Sequence, residues 1–363
     1  MESSEAITSK SQTYKPQRQS YSSYKSGSSQ QALFELPQYV GPVPDTATSD
    51  DADSGLGSNG STLSISLEQQ AYKFRYFNGR RYHAEQCNGT EYYLPNDELE
   101  LDRLDLQHHL FLQTLKGSLH CAPLAQDIKS VLDVGTGTGI WAIDFADLHP
   151  SCIVIGTDLS PVQPSYIPPN CRFYVEDVEK PWSFDQAFDY IHGRMLVVSI
   201  KNWAEFFRQA YANLKPGGYI ELQDLNFPVR CDDGTAPPDS PLMQWSSYMM
   251  EGARNLGIDL EASNSFPTLL AEVGFVSIKS ETYAWPINSW PKDQAMKENG
   301  MWVTQNFLQG LQGFSMAYFA RGLGWKPAEV EVMVSKVRTQ SRDRRSHVYM
   351  PISFFWARKP ELV

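Results

Sequence analysis

Short β-rich runs alternate with helical stretches along residues 130–224, and this alternation restricts the possible folds more than any other feature. It predicts strands at 130–135, 152–158, 171–177, 188–193 and 219–224. Helices are predicted between them at 140–148 and 203–214. Strands joined by crossover helices form a parallel sheet with right-handed connections and helices on both faces. The predicted fold class is therefore α/β, with a doubly wound sheet.

The sequence after residue 224 predicts the remainder of the sheet and a long interruption in it. Helices are expected at 242–256 and 265–273, and the alternating runs at 275–283 and 348–357 are typical of antiparallel strands. The stretch between these last two strands is too long for a hairpin turn. We therefore predict a helical insertion at about 290–345.

Composition divides the chain before the sheet into two segments. Residues 1–66 are rich in Ser, Gln, Tyr, Pro and Gly, and such a segment is predicted to be a disordered tail. The tail is either an inert extension or a docking or phosphorylation element. Residues 67–127 are rich in aromatic side chains and then contain an amphipathic helix at 99–115, with Asn96 as its expected cap. We expect them to form a helical lid over a ligand site in the third unit, residues 128–363.

Charge and cysteine content argue against several functional classes. The net charge of −11 leaves no cluster of Lys and Arg for phosphate contacts, so direct nucleic-acid binding is not expected. Five cysteines, far apart and without a C-x-x-C pair, indicate neither a disulfide framework nor a metal site. Since no secretory signal and no membrane-spanning apolar run is found, we expect a location in the cytoplasm, the nucleus or both.

A glycine-rich turn at Asp133–Gly139 joins a buried strand to a helix. Glycines let the backbone lie close to a ligand, although a tight turn that binds nothing is the alternative. Dinucleotide-binding turns would place a third glycine at position 140, where this chain has Ile140. The spacing instead resembles motif I of class I methyltransferases, in which the acidic residue serves the amino-acid end of S-adenosylmethionine. The residues assigned to cofactor binding in this turn are Asp133, Gly135, Thr136, Gly137 and Gly139.

The ends of the next two predicted strands add further candidates for binding this cofactor. Asp158 ends the second strand nineteen residues after Gly139, where a carboxylate can accept hydrogen bonds from both ribose hydroxyls, and Leu159 adjoins it. The third strand ends at Asp177 and Val178, which we assign to the adenine edge. Ligands of open α/β sheets collect at these carboxyl ends of the strands.

Two histidines are the candidates for catalysis. His192 lies at the predicted end of the fourth strand, at the same sheet edge, and His108 lies on the amphipathic helix. Methyl transfer from a sulfonium is an in-line displacement, and a base is needed only where the acceptor must lose a proton. A purely structural role is the alternative for each histidine, and His192 is the preferred candidate because its place in the fold is better defined.

Extended runs spread over the ordered part of the chain are similar to a known family. They are GRRYH at 79–83, LPND at 94–97, DRLDLQH at 102–108, GIWA at 139–142, GTDLSPVQP at 156–164, LKPGG at 214–218, WPK at 290–292 and LGW at 323–325. With them the chain resembles the fungal LaeA-like (TAM-domain) methyltransferases from about Gly79 to Pro360.

The resemblance implies a class I methyltransferase fold with a Rossmann-like seven-stranded sheet and S-adenosyl-L-methionine as cofactor. It also implies a link to fungal secondary metabolism, and two functions remain open. The favoured one is an enzyme that methylates a small-molecule acceptor. The alternative is a regulatory methyltransferase that acts in a complex with protein partners, and a dinucleotide-dependent oxidoreductase is a distant third.

Overall fold

Seven strands of this protein form one mixed sheet: β3 (Ser130–Val134), β4 (Ile153–Asp158), β5 (Cys171–Val175), β6 (Phe188–Arg194), β7 (Leu214–Leu225), β8 (Val276–Pro286) and β9 (Tyr349–Arg358). They lie in the order β5-β4-β3-β6-β7-β9-β8. The computed structural model describes residues 74–83 and 92–361, so the predicted tail at 1–66 lies outside the described residues. A short hairpin of β1 (Arg75–Phe77) and β2 (Arg80–Tyr82) precedes the sheet in the chain.

Strand direction gives the sheet its topology. The pairs β3–β4, β4–β5, β3–β6 and β6–β7 are parallel, whereas β9 is antiparallel to both of its neighbours, β7 and β8. The order reverses at β3, from which the chain continues first toward β5 and then toward β8. This arrangement confirms the predicted α/β fold with a doubly wound, seven-stranded sheet.

Helices connect the strands and form the predicted insertion. They are α1 (Glu98–Thr114), α2 (Ile140–Leu148), α3 (Trp203–Asn213), α4 (Pro241–Asn255), α5 (Phe266–Val273), α6 (Gln294–Ser315) and α7 (Pro327–Ser341). A π-helical segment, Met316–Gly322, continues α6. The insertion helices pack against α1 and α4, so the insertion contacts the segment that precedes the sheet.

The core strands are buried on both faces, which explains their nearly continuous apolar sequences. All five residues of β3 are buried, as are five of the seven in β6. Parallel sheets covered by helices on both faces require such sequences. The large aromatic side chains extend this core, because Trp141, Trp245 and Trp285 are almost completely buried.

Two local details differ from the sequence expectation. Asp97, and not Asn96, caps α1, because its extended backbone lets its carboxylate accept a hydrogen bond from Glu100 N at 3.2 Å. Asn96 instead donates through Nδ2 to Ser160 Oγ at 3.0 Å. Strand β7 begins at Leu214 rather than at residue 219. Residues 215–218, which precede the predicted strand, form a bulge within β7, since Phe188 pairs with Leu214 while Tyr190 pairs with Tyr219.

No helix within 74–83 or 92–361 is long and apolar enough to cross a membrane. Across the same residues, no group of three or more His, Cys, Asp and Glu side chains is placed to hold a metal ion.

Gly252 sets how closely α4 approaches the π-helical segment. A Cβ at this position would overlap the carbonyl group of Tyr318, which is backbone and cannot rotate away. Replacing an unconstrained helical glycine by alanine stabilises a protein by about 0.5–1 kcal/mol. We expect Gly252→Ala to lower the free energy of unfolding by about 1–3 kcal/mol through overpacking, measured by urea denaturation. The exposed Ser247→Ala on the same helix is the control and should change stability little. A Gly252→Ala protein as stable as the wild type would contradict this packing.

Candidate functional site

The glycine-rich turn between β3 and α2 is held in a conformation that L-residues rarely adopt. Gly135, Gly137 and Gly139 have φ angles of 65°, 57° and 79°, all in the left-handed region. A Cβ at Gly139 would overlap the ring of Phe173, and one at Gly135 would lie 2.6 Å from a methyl carbon of Leu196. The three glycines therefore serve both the turn and its close packing.

Asp133 ties the ends of two neighbouring strands together. Its Oδ1 accepts a hydrogen bond from His192 Nδ1 at 2.7 Å, and its Oδ2 accepts one from Thr136 Oγ1 at 2.5 Å. The carboxylate is 3% exposed, so it acts with little solvent screening. Asp133 thus fixes the turn against β6 and orients the imidazole of His192.

His192 lies at the carboxyl edge of the sheet, where the sequence placed it. Its ring is fully buried and stacks on Trp141, with centroids 3.7 Å apart and planes inclined by 7°. Nδ1 is engaged by Asp133, whereas Nε2 has no hydrogen-bond partner in the described part of the chain. Its catalytic role stays a prediction, and Nε2 is the atom that could carry it.

A cavity of about 140 Å³ opens beside Asp158 at the end of β4, and we call it the main cavity. The Asp158 carboxylate accepts hydrogen bonds from Gly137 N at 2.9 Å and from Ser160 N at 3.0 Å. Burial raises the pKa of Asp158 to about 6. Three other predicted cofactor residues, Leu159, Asp177 and Val178, line the same cavity.

The segment predicted to be a lid supplies one wall of the main cavity. Side chains that precede and begin α1 line it opposite the strand ends, namely Tyr92, Leu94, Asn96, Leu101, Arg103 and Leu104. Arg103 is 3% exposed and donates to Glu100 Oε1 at 2.7 Å and to Asn306 Oδ1 at 2.9 Å. Its charge is therefore already compensated by a neighbouring carboxylate.

Two smaller cavities adjoin the main one. The loop cavity, about 40 Å³, is lined by residues of the glycine-rich turn together with Gln107, His192 and Arg194. The apolar chamber, about 30 Å³, is lined largely by aromatic and methionine side chains: Trp245, Met249, Trp285, Phe307, Phe314 and Met350. Met195 lines all three cavities and so marks where they meet.

The backbone at Met195 is held in an unusual conformation. Its φ of 59° is left-handed, which is uncommon for a residue with a side chain. The following amides, Leu196 N and Val197 N, both donate to the buried carboxylate of Asp224 at 2.8 and 2.9 Å. Met195 N itself donates to the carbonyl of Gln223. These bonds turn the chain sharply after β6 and place Met195 at the junction.

His108 does not line any of the three cavities. It is 2% exposed, its Nε2 lies 2.9 Å from Asp144 Oδ2, and its Nδ1 lies 3.0 Å from Arg194 Nη1. Burial lowers the pKa of His108, which favours the neutral ring. With both ring nitrogens engaged, the geometry gives His108 an orienting position beside Arg194, and its predicted catalytic role gains no support from these contacts.

Comparison with known proteins assigns the chain to a family. A family model described as a methyltransferase domain matches residues 106–280. Methyltransferase pytC of Aspergillus terreus is 39% identical over 306 residues, which are 84% of this chain and 93% of that protein. The chain belongs to the LaeA-like methyltransferase family. The secondary metabolism regulator LAE1 of Cochliobolus heterostrophus is 38% identical over 78% of this chain and 94% of its own length. The secondary metabolism regulator laeA of Aspergillus flavus is 34% identical over 85% of this chain and 83% of its own length.

Membership confirms the family that the sequence resembled, the methyltransferase class and its cofactor, S-adenosylmethionine. The relatives link this LaeA-like chain to fungal secondary metabolism, and they include proteins named as methyltransferases and proteins named as regulators. The sequence did not predict the lining of the apolar chamber, nor Gln107, Arg194 and Met195, each of which lines two or three of these cavities. Of these, Arg194 could have been noticed, because it directly follows the His192–Gly193 pair at the end of a predicted strand.

Asp158 gives a prediction about cofactor affinity and pH. An ionised carboxylate accepts hydrogen bonds from ribose hydroxyls better than a protonated one, so bound cofactor favours the charged form. Affinity should be full above pH 7 and fall by about tenfold between pH 7 and pH 5, as Asp158 takes up a proton near its pKa of about 6. Calorimetric titration with S-adenosylhomocysteine across this range measures the effect.

Two substitutions isolate the Asp158 contribution. Asp158→Ala should weaken binding at pH 7.5 by at least about tenfold, since about 1.4 kcal/mol corresponds to that factor. Asp158→Asn should also bind weakly and should lose the pH dependence between pH 5 and 7. Wild-type affinity in a folded Asp158→Ala protein would contradict the ribose assignment.

Proposed function

We propose that this LaeA-like chain transfers a methyl group from S-adenosylmethionine to a small, largely apolar acceptor that enters the apolar chamber. The observation that carries the proposal is the junction of the cavities: Arg103, Met195, Val198 and Phe314 line both the main cavity and the chamber. A cofactor in the main cavity and an acceptor in the chamber would therefore be direct neighbours.

The residues of the main cavity fit the adenosyl part of the cofactor. Asp158 offers a carboxylate for the ribose, and Asp177 and Val178 lie at the end of the adjacent strand for the base. Gly135 and Gly137 line this cavity, so a ligand bound there would lie against the turn. Apolar walls from Leu101, Leu104 and neighbouring side chains suit a purine ring.

The cofactor supplies an electrophilic methyl group on a sulfonium. The protein's part is to align donor and acceptor, and orientation alone contributes about 7–11 kcal/mol to lowering the barrier. Side chains of α1 and of the insertion helix α6 line both cavities where they meet. Where the acceptor must lose a proton, we propose His192 as the base, because its Nε2 has no hydrogen-bond partner among the described residues. His192 lines the loop cavity and not the chamber, so such an acceptor would have to reach it past Met195, where the two cavities meet.

The chamber restricts the acceptor by size and polarity. Its free volume of about 30 Å³ admits a bulky acceptor only if lining side chains move, and Met249 and Met350 are flexible enough to do so. Gln107 and Asn306 are the uncharged polar side chains in this lining. An apolar molecule with one or two hydrogen-bonding groups suits such a surface.

A second function is favoured by the relatives named as secondary metabolism regulators, which match most of this chain at similar identity to pytC. In that case the chain would act with protein partners and could methylate one of them. For either function we propose action in the cytoplasm or the nucleus, and a fluorescent fusion in the native host tests the location.

A labelling experiment separates the two functions. The purified protein is incubated with methyl-labelled S-adenosylmethionine and an extract of its native host, and the label is followed in the organic-soluble and protein fractions. The proposal expects label in an organic-soluble small molecule. Label confined to protein, together with stoichiometric recovery of a complex by affinity purification, would replace it with the regulatory function.

Filling the chamber tests the acceptor site itself. Val303 is 2% exposed and lines the chamber but not the main cavity. We expect Val303→Phe to lower product labelling at least tenfold, because the larger ring occupies the acceptor space, while the Kd for S-adenosylhomocysteine changes less than twofold. Val332→Phe, at a position 57% exposed on α7, is the matched control. Undiminished labelling by a folded Val303→Phe protein would exclude the chamber as the acceptor site.

A further inference from the structure

Arg194 is a largely buried cation without a carboxylate partner. Within the described residues it forms no salt bridge, and its guanidinium has one hydrogen-bond acceptor, His108 Nδ1 at 3.0 Å from Nη1. The carbon of the guanidinium lies 4.8 Å from the ring centre of Phe111. Burial lowers its pKa to about 10, with more distant Asp133, Asp144 and Asp105 opposing this shift.

An uncompensated buried charge is costly, and a guanidinium has five N–H donors to satisfy. Side chains in this situation are usually paired with an anion. Arg194 lines both the main cavity and the loop cavity, so its free donors lie where a ligand can reach them. The missing partner is therefore expected to come from the ligand.

Arg194 is the one lysine or arginine among the side chains that line the loop cavity. Both carboxylate oxygens of Asp133 already accept a hydrogen bond, one from His192 and one from Thr136. Arg103, the other cation that lines the main cavity, is already paired with Glu100 at 2.7 Å. Arg194 is thus the cation available to an anionic ligand at this edge of the sheet.

We propose that Arg194 binds the carboxylate at the amino-acid end of the cofactor, which would lie in the loop cavity against the glycine-rich turn. This inference rests on the proposed function. A planar guanidinium matches a carboxylate with two parallel hydrogen bonds, which a lysine cannot reproduce.

The proposal also explains the position of His108. Asp144 accepts the Nε2 proton of His108, which leaves Nδ1 as an acceptor for Arg194. The burial that lowers the pKa of His108 keeps its ring neutral, so it does not repel the guanidinium. Asp144 and His108 are therefore positioning residues, and they hold one edge of the guanidinium while the other faces the cavity.

The test compares two ligands that differ in the amino-acid part of the cofactor. S-adenosylhomocysteine carries its carboxylate and ammonium groups, whereas 5′-methylthioadenosine keeps the adenosine and the thioether but lacks both. We expect Arg194→Gln to weaken S-adenosylhomocysteine binding at least tenfold and to change the Kd of methylthioadenosine less than twofold, both measured by calorimetry. Arg194→Lys should recover only part of the loss, and His108→Phe should reduce the ratio of the two affinities in the same direction.

Arg172→Gln, at an exposed position on β5, is the control and should leave both affinities unchanged. Equal weakening of both ligands by Arg194→Gln, or no weakening of either, would overturn the proposal. If Arg194→Gln does not fold, the affinity of the wild-type protein for decarboxylated S-adenosylhomocysteine is measured instead. An affinity equal to that for intact S-adenosylhomocysteine would refute a carboxylate contact. Failure of the wild type to bind both adenosine ligands would instead contradict the proposed function.

Discussion

The buried carboxylate of Asp133 is the interaction on which the site depends. It joins the turn after β3 to the end of β6 through Thr136 and His192, and no solvent competes for these bonds. Because β3 lies where the strand order reverses, the crevice at its carboxyl end is open to ligands from both halves of the sheet. A residue that could not accept both hydrogen bonds would leave the His192 ring and the turn without a common anchor.

Three cavities meet at Met195, and their meeting makes the proposed cofactor and acceptor compartments neighbours. Met195 borders all three, and its left-handed backbone is sustained by the buried Asp224 carboxylate at the following amides. A left-handed backbone conformation at a non-glycine residue costs of order 1 kcal/mol or more, so the surrounding hydrogen bonds must compensate for this cost. Met195 therefore lies where the adenosyl, amino-acid and acceptor compartments proposed above meet.

Much of the fold could be predicted from the sequence, because local patterns determine it. The helix at 140–148 was predicted to the residue, and the alternation of buried runs gave the sheet strands, since both depend on neighbours in the chain. The position of the glycine-rich turn and that of Asp158 at the end of the next strand could be predicted as well, because both lie within one short strand–turn–helix–strand stretch. The pairing of Arg194 with His108 could not be predicted, because the two residues are 86 positions apart. Nor could the lining of the apolar chamber, which comes from several separate segments between residues 103 and 350. Asn96 illustrates the difference, since its local signal as a cap was outweighed by a bond to Ser160, 64 residues away.

The central claim is that the cofactor spans the glycine-rich turn with its sulfur at the junction of the three cavities. A crystal structure of the protein with S-adenosylhomocysteine tests this most directly. The account predicts ribose hydroxyls within hydrogen-bonding distance of Asp158, the carboxylate on Arg194, and the sulfur beside Met195 facing the apolar chamber. A ligand that leaves Asp158 without a contact, or whose sulfur points away from the chamber, would contradict it.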